Sequence, residues 1–132
     1  MNIESILHAD IQDFITKNLN SDNSRLALKK NPFADINYCT IINQISAKKK
    51  AKDKLPTWFS LEKIIYPEKI SIEQTSSEIT AKYKASLVSG EKLIDCTGGF
   101  GIDDYYFSKQ FESVIHCELN ADLSQIVKHN FE

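Results

Sequence analysis

The stretch LIDCTGGFG, from Leu93 to Gly101, decides the fold of this chain. Its apolar residues end in a carboxylate at Asp95, enter a glycine-rich turn and then pass into a sequence typical of a helix. Parallel α/β sheets open nucleotide-sized pockets in this way, at the carboxyl ends of their strands. Because a domain that starts with such a turn needs more residues than follow it here, we expect the chain to be the N-terminal part of a longer protein.

The overall composition is that of an ordinary globular protein. Its 42% hydrophobic and 26% charged residues, with a formal net charge of -2, give no reason to expect a nucleic acid or a membrane from bulk charge. No apolar run is long enough to span a bilayer, and the N-terminus lacks the features of a signal peptide. The scattered Cys39, Cys96 and Cys117 fit no metal site, so we expect buried, reduced side chains in a cytoplasmic protein.

Residues 1–88 are predicted to be helical. Apolar residues at three- and four-residue steps predict one helix up to about Asn18, and Asn37 is suited to cap a longer one. Ser71 and Gln74 fit a capping box for a further helix. Its buried stripe is expected to consist of Ile72, Ile79, Tyr83 and Leu87.

From residue 89 onward the pattern changes to strand, helix, strand and helix with short links. The strands are predicted over 92–96 and 113–117, and the helices over 103–110 and 121–131. This is the βαβ pattern of a parallel sheet. The predicted fold class is therefore α/β, with an N-terminal helical region over 1–88 and the first βαβα portion of a Rossmann-like sheet, truncated, over 89–132.

The glycine turn has the chemistry of a nucleoside site. Gly99 and Gly101 follow Asp95 in the pattern D-x-x-x-G-x-G, and glycine tolerates positive φ and lets a ligand approach the backbone. Amide groups of the turn and of the following helix would offer donors to an anionic or carboxylate group. The second predicted strand leads to Glu118, whose carboxylate can accept both hydroxyls of a ribose.

A dinucleotide is the alternative ligand for such a turn. The fingerprint G-x-G-x-x-G, begun at Gly99, needs glycine or alanine where this chain has Asp104, and a carboxylate at Asp103 or Asp104 would repel phosphates. A cationic adenosine ligand without phosphates, such as S-adenosylmethionine, fits better. The remaining alternative is an ordinary loop at Gly98 and Gly99 with a solvated carboxylate at Glu118.

Both motifs resemble those of a known enzyme family. DCTGGFGID over 95–103 and VIHCELN over 114–120 resemble the first two motifs of class I S-adenosylmethionine-dependent methyltransferases. Five flanking segments are similar to the Bacteroidetes-type methyltransferases that carry a C-terminal THUMP-like domain, and the similarity runs from about residue 25 to residue 132. These segments are QI at 44–45, KAK at 50–52, KLPTW at 54–58, EQTSSE at 73–78 and TAKYK at 80–84.

The resemblance implies a cofactor site for S-adenosyl-L-methionine. Glu118 would bind the ribose and Leu119 would border the adenine. The residues that would line the methionine part of the cofactor are Asp95, Thr97, Gly98, Gly99, Phe100 and Gly101. Thr97 stands where the commonest turn of these enzymes has glycine. The helix with Gln74, Ser77 and Thr80 would lie near the cofactor's carboxylate.

No catalytic residue is assigned, because the acceptor-binding motif of such enzymes, often Asp/Asn-Pro-Pro-Tyr, does not occur in this sequence. THUMP-like relatives imply an RNA substrate. A lysine run near Trp58 and Phe59 could contact it, although such a run is usually a solvated helix face and the two aromatic residues would pack into a core. The run consists of Lys48, Lys49, Lys50, Lys52 and Lys54.

The sequence therefore predicts the N-terminal part of an S-adenosylmethionine-dependent methyltransferase that acts on RNA. The alternative is a non-catalytic helical interaction or nucleic-acid-binding module. His8, His116 and His129 are isolated in the sequence, so ligand or catalytic roles are not expected of them. His116 is expected to lie within a strand as a packing residue with its hydrogen bonds satisfied.

Overall fold

A computed structural model describes residues 2–132, which form helices and a two-stranded parallel sheet. The helices before the sheet are α1 (Ile3–Ile6), α2 (Ala9–Lys17), α3 (Asn23–Ala27), α4 (Tyr38–Lys54), α5 (Pro56–Ser60), α6 (Lys69–Gln74) and α7 (Glu78–Ser86). The remaining elements are β1 (Gly90–Asp95), α8 (Ile102–Phe107), β2 (Phe111–His116) and α9 (Ala121–Phe131). This order confirms the predicted α/β class and its βαβα portion.

The chain divides into two compact units, of which the first ends at Ile72 and the second comprises Glu73–Glu132. The change of sequence pattern at residues 88 and 89 marks the start of the sheet. Contacts assign α7 to the second unit, because this helix packs on α8.

Helix α4 is the longest element of the first unit, and it confirms the helix predicted to start after Asn37. The Asn37 side chain accepts a hydrogen bond from the Cys39 amide at 2.9 Å, which satisfies one free donor at the helix start. Ile41, Ile45 and Ala47 of this helix are fully buried. The predicted N-terminal helix is instead two helices, because α1 ends at its cap Leu7 and the backbone of His8, with φ -57° and ψ 136°, is not helical.

A buried amide links α4 to the segment after α5. Gln44 accepts from the Tyr66 amide at 2.9 Å and donates to the Tyr66 carbonyl at 2.5 Å, so it takes the place of a backbone partner. The Tyr66 hydroxyl donates to the carbonyl of Trp58 at 3.1 Å, and its burial raises the pKa of Tyr66. Trp58 is buried, as expected for a core residue.

The predicted capping box and buried stripe before the sheet are both wrong. Ser71 lies inside α6, whereas Ser77 caps α7 by accepting from the Thr80 amide at 3.2 Å. Ile72 is buried, but the other three members of the predicted stripe are exposed, with Ile79 at 81%. Helix α7 turns a different face inward, formed by Glu78, Ala81 and Ala85, because small side chains allow it to lie close to α8.

The two strands run parallel, with Leu93 opposite Val114 and Asp95 opposite His116. Each strand ends slightly before its predicted end, so His116 closes β2 rather than lying in its middle. Ile94 and Ile115 are paired in register and both are exposed. The glycine turn after β1 and the segment with Glu118 after β2 therefore start at the same end of the sheet.

The expectation of buried cysteines is wrong, because Cys39, Cys96 and Cys117 are free and exposed. Cys39 lies in the first turn of α4, and the other two immediately follow the ends of β1 and β2. Within residues 2–132, no three His, Cys, Asp or Glu side chains cluster as a metal site would require. The same part of the chain contains no helix that is both long and apolar enough to cross a membrane.

Candidate functional site

The turn after β1 is closed by the carboxylate at the end of that strand. Asp95 Oδ1 accepts hydrogen bonds from the Thr97 amide at 2.8 Å and from the Thr97 hydroxyl at 3.4 Å. A carboxylate that accepts from the backbone two residues later forms a tight local turn. Thr97 thus supports the turn at a position where glycine is more common.

At each glycine of the turn, a larger residue would be strained or would clash with a neighbour. Gly99 has a φ of +56°, and Gly101, which caps α8, has a φ of +78°, a backbone conformation that strains other residues. A Cβ on Gly101 would also approach Phe131 of α9 to 2.9 Å. Gly98 is needed for space, since a Cβ there would lie 2.1 Å from Nδ1 of His116. The predicted need for positive φ in this turn is confirmed at Gly99 and Gly101. The contact of Gly98 with His116 was not predicted from the sequence.

Glu118 lies against the turn, as its position after the second strand suggests. Its Oε2 accepts from the Gly99 amide at 3.1 Å, and its Oε1 accepts from the Asn120 amide at 2.8 Å. Each carboxylate oxygen has two lone pairs, so both can accept a further hydrogen bond from a ligand. Leu119, next to it, is fully exposed, whereas the side chain of Phe100 is buried and leaves only its backbone for a ligand.

The amides of the turn are occupied within the protein. Gly98 donates to the Cys117 carbonyl and Gly101 donates to the Gly98 carbonyl, each at 2.9 Å. Together with the bonds to Asp95 and Glu118, this arrangement does not resemble the open amide nest that binds phosphates. Carboxylates surround the turn, so its electrostatics favour a cationic ligand over an anionic one.

Helix α7 is fixed to the start of α8 by a polar cluster that sequence reasoning missed. Asp103 Oδ2 accepts from the Ser76 hydroxyl at 2.8 Å and from the Lys84 ammonium at 2.9 Å, and Lys84 also donates to Ser76 at 2.8 Å. Buried Glu78 accepts from the Tyr106 hydroxyl at 3.0 Å. The pairs that join α7 and its start to α8 are 19 to 28 residues apart in sequence, and no local pattern signals them.

The residues predicted to face the cofactor's carboxylate lie around this cluster. Ser77 and Thr80 bond to each other at 2.9 Å across the start of α7, and Gln74 is exposed at the end of α6. Of the three predicted residues, Ser77 and Thr80 therefore contact each other, whereas Gln74 takes no part in their hydrogen bond.

A buried pair lies directly beside the turn. His116 Nδ1 is 2.6 Å from Asp104 Oδ2, and the Asp104 side chain is only 2% exposed. Burial raises the pKa of Asp104 to about 6; the hydrogen bond from His116 opposes this shift, and the negative charge of Asp95 adds to it. His116 Nε2 has no hydrogen-bond partner among the described residues, so the expectation of a fully satisfied packing residue is wrong.

One solved structure resembles nearly the whole chain. A crystal structure described as a "putative methyltransferase from Porphyromonas gingivalis W83" matches with a TM-score of 0.79 and 27% sequence identity. The match covers 97% of this chain and 32% of that one, so this chain spans about a third of that protein's length. Neither the known family models nor the curated proteins include a match. The chain therefore has a methyltransferase-like fold, and the Rossmann-like interpretation of its second half is confirmed.

Proposed function

We propose that this chain forms the cofactor-binding part of an S-adenosylmethionine-dependent methyltransferase. The observation that carries the proposal is the Glu118 carboxylate on the Gly99 amide, at 3.1 Å, in a chain whose fold matches a methyltransferase. A carboxylate after the second parallel strand is suited to accept ribose hydroxyls at the edge where the glycine turn begins.

In this proposal the residues around the turn bind and orient the cofactor, which supplies an activated methyl group. Glu118 accepts hydrogen bonds from the ribose, and exposed Leu119 borders the adenine. Asp95, Thr97, Gly98, Gly99, Gly101 and the backbone of Phe100 line the methionine part. Methyl transfer depends chiefly on proximity and alignment, so binding geometry is the contribution expected of this region.

The charge of the site supports this cofactor over a dinucleotide. Asp95, Glu118 and the pair formed by Asp104 and His116 give the turn a negative environment, which attracts a sulfonium and an ammonium group and repels a pyrophosphate. The turn amides are already bonded within the protein. The residues present therefore fit a cationic adenosine cofactor.

Calorimetric titration with S-adenosylmethionine and with S-adenosylhomocysteine tests the proposal. We expect Glu118→Ala to weaken both affinities roughly 10- to 100-fold, because a charged hydrogen bond contributes about 1.5–3 kcal/mol. Glu112→Ala is the matched control, since Glu112 is an exposed glutamate on β2, the strand that leads to Glu118. Equal affinities for the Glu118→Ala and wild-type chains would contradict the ribose role.

The proposed acceptor is RNA, in a protein with a THUMP-like domain. Exposed lysines near the end of α4, which are Lys49, Lys50 and Lys52, support a contact with a phosphate backbone. Two members of the predicted run are less available, since Lys54 donates to the Ile72 carbonyl at 3.0 Å and burial lowers the pKa of Lys48. The free cysteines support a reducing compartment, which we propose is the cytoplasm.

The RNA proposal is tested by the salt dependence of binding to a single-stranded RNA. The double variant Lys49→Glu with Lys52→Glu should bind more weakly, and its slope against log salt should fall by about 1.4 if two phosphate contacts are lost. Lys29→Glu with Lys30→Glu provides a control on exposed lysines elsewhere in the first unit. Equal losses in both double variants would favour nonspecific charge attraction over a defined contact.

A further inference from the structure

Three ionisable side chains, each from a different helix or strand, lie close together next to the glycine turn. Asp95 ends β1, Asp104 lies in the first turn of α8, and His116 ends β2 opposite Asp95. His116 Nδ1 contacts Asp104 Oδ2 at 2.6 Å, and Asp95 is close enough to oppose the ionisation of Asp104. The function proposed above uses Asp104 and His116 only as part of the negative charge around the turn.

The imidazole of His116 lies directly on the backbone of Gly98. A Cβ built on Gly98 would lie 2.1 Å from Nδ1, 2.3 Å from Cε1 and 2.9 Å from Cγ, so the ring fills the space that a side chain would need. The residue after His116 accepts the Gly98 amide hydrogen bond through its carbonyl, at 2.9 Å. Any rotation of the ring must therefore move the turn or open a gap beside it.

The hydrogen bonds of the pair favour one protonation state. His116 Nε2 and Asp104 Oδ1 are buried and have no hydrogen-bond partner within residues 2–132. A doubly protonated imidazole would leave a buried N–H unsatisfied at Nε2, which is costly. A neutral imidazole that donates from Nδ1 to ionised Asp104 avoids this cost, and the pair then carries one negative charge.

That negative charge is itself unfavourable in its buried position. Desolvation raises the pKa of Asp104 to about 6, and the Asp95 carboxylate acts in the same direction. Groups that are kept in an unfavourable charge state are often part of a functional site. The charge would be useful next to a sulfonium or ammonium group.

We propose that His116 and Asp104 are a positioning pair for the turn of residues 97–101, and that a second proton on the pair weakens binding of a cationic cofactor. The inference rests on the cofactor site proposed above. Protonation would remove the negative charge of the pair and the charge-assisted bond that fixes the ring against Gly98. Both effects act on the turn at which we expect the cofactor to bind.

The other charged groups near the pair each make hydrogen bonds to residues outside the pair. Asp95 accepts from Thr97, Glu118 accepts from Gly99 and Asn120, and Asp103 accepts from Lys84 of α7. Helix α9 presents the apolar Val127 and Phe131 to Gly101. Asp95 and Glu118 are thus the two carboxylates outside the pair that bond directly to the turn.

A ligand-free titration tests the pair by itself. In the nitrogen-15-labelled chain, the Gly98 and Gly99 amide signals should shift together between pH 5 and pH 7.5, with one midpoint near 6 that reports the ionisation of Asp104. Asp104→Asn should abolish that midpoint at both glycines, while signal dispersion shows that the variant is folded. Glycine signals that do not titrate, or that titrate unchanged in Asp104→Asn, would overturn the proposal.

Binding of S-adenosylmethionine then tests the effect on the cofactor. One proton with a midpoint near 6 should lower the affinity about tenfold between pH 7 and pH 5 in the wild-type chain, and Asp104→Asn should remove this dependence. Measurable binding with the same pH dependence in both chains would contradict the pair's role and leave the cofactor site standing. No binding at any pH would contradict the cofactor site, whereas the glycine titration would still test the coupling of the pair to the turn.

Discussion

The two units of this chain differ in how completely their buried polar side chains are hydrogen-bonded. In the first unit the buried amide of Gln44 makes two hydrogen bonds to the backbone of Tyr66, and Ile41 and Ile45 are fully enclosed. One buried polar atom described in the first unit, Asn23 Oδ1, has no partner among the described residues, whereas the second unit has such an atom on each of Asp103, Asp104 and His116. Unsatisfied buried groups are costly, so their concentration around one turn indicates a site rather than a scaffold.

Exposed apolar residues show the same contrast. In the first unit they are scattered at Leu28, Leu61 and Ile70, as is usual for a protein surface. In the second unit Ile79 and Tyr83 of α7 and its C-terminal cap Leu87 follow one another at helical spacing, and Ile94 lies beside Ile115 on the sheet. The first unit has the features of a closed core, whereas the second presents ordered apolar surfaces and an ionisable cluster.

The largest effect should come from the closed core. Trp58→Ala removes the buried indole, which is 3% exposed, and should lower the free energy of unfolding by about 3–5 kcal/mol. Urea denaturation followed by circular dichroism measures the loss. Phe59→Ala, one residue away and only partly buried, is the control and should cost clearly less. Similar losses for both variants would show that the core is not centred on Trp58.

A smaller effect, with a defined pH dependence, should come from Asp104. Because burial raises the pKa of this group above its unfolded value, its contribution to stability is present in acid and is lost as the pH rises through about 6. Asp104→Asn should therefore remove roughly 1–3 kcal/mol of pH dependence between pH 4 and pH 7. The check is urea denaturation across this range, with Asp122→Asn on α9 as an exposed control. A wild-type pH profile in Asp104→Asn would contradict the assignment.

The fold was largely predictable from local pattern, whereas the site was predictable only in part. Strand, helix and cap signals act over a few residues, so Asn37 and the βαβα order follow from the sequence. The stripe on α7 was predicted wrongly because packing of Ala81 and Ala85 on α8 overrides hydrophobic periodicity. The pairs of Asp103 with Lys84 and Asp104 with His116 depend on tertiary contacts, for which a single sequence gives no spacing rule.

The turn itself should respond to substitution more mildly than the core. Gly99→Ala forces a side chain into a φ of +56° and should cost about 1–2 kcal/mol of stability. Gly99→Asn should cost less, because asparagine tolerates this conformation better. Thermal denaturation of the two variants gives the comparison, and an alanine variant as stable as the asparagine variant would argue against the positive φ.

The smallest effect should come from the apolar face of α7. Ile79→Ser changes a side chain that is 81% exposed and should alter the free energy of unfolding by less than about 0.5 kcal/mol. Ala81→Ser, two residues along the same helix and fully buried, should cost more. A large loss in Ile79→Ser, measured by urea denaturation, would show that this face is covered in solution.

Chemical-shift mapping with S-adenosylhomocysteine tests whether the turn and Glu118 form a cofactor site. We expect amide shifts at residues 97–101 and at Glu118 and Leu119, with Trp58 and the other core residues of the first unit unchanged. Glu118→Ala should remove these shifts at the same ligand concentration. Shifts confined to the first unit, or saturable binding that leaves residues 97–101 unaffected, would show that the cofactor does not bind at this turn.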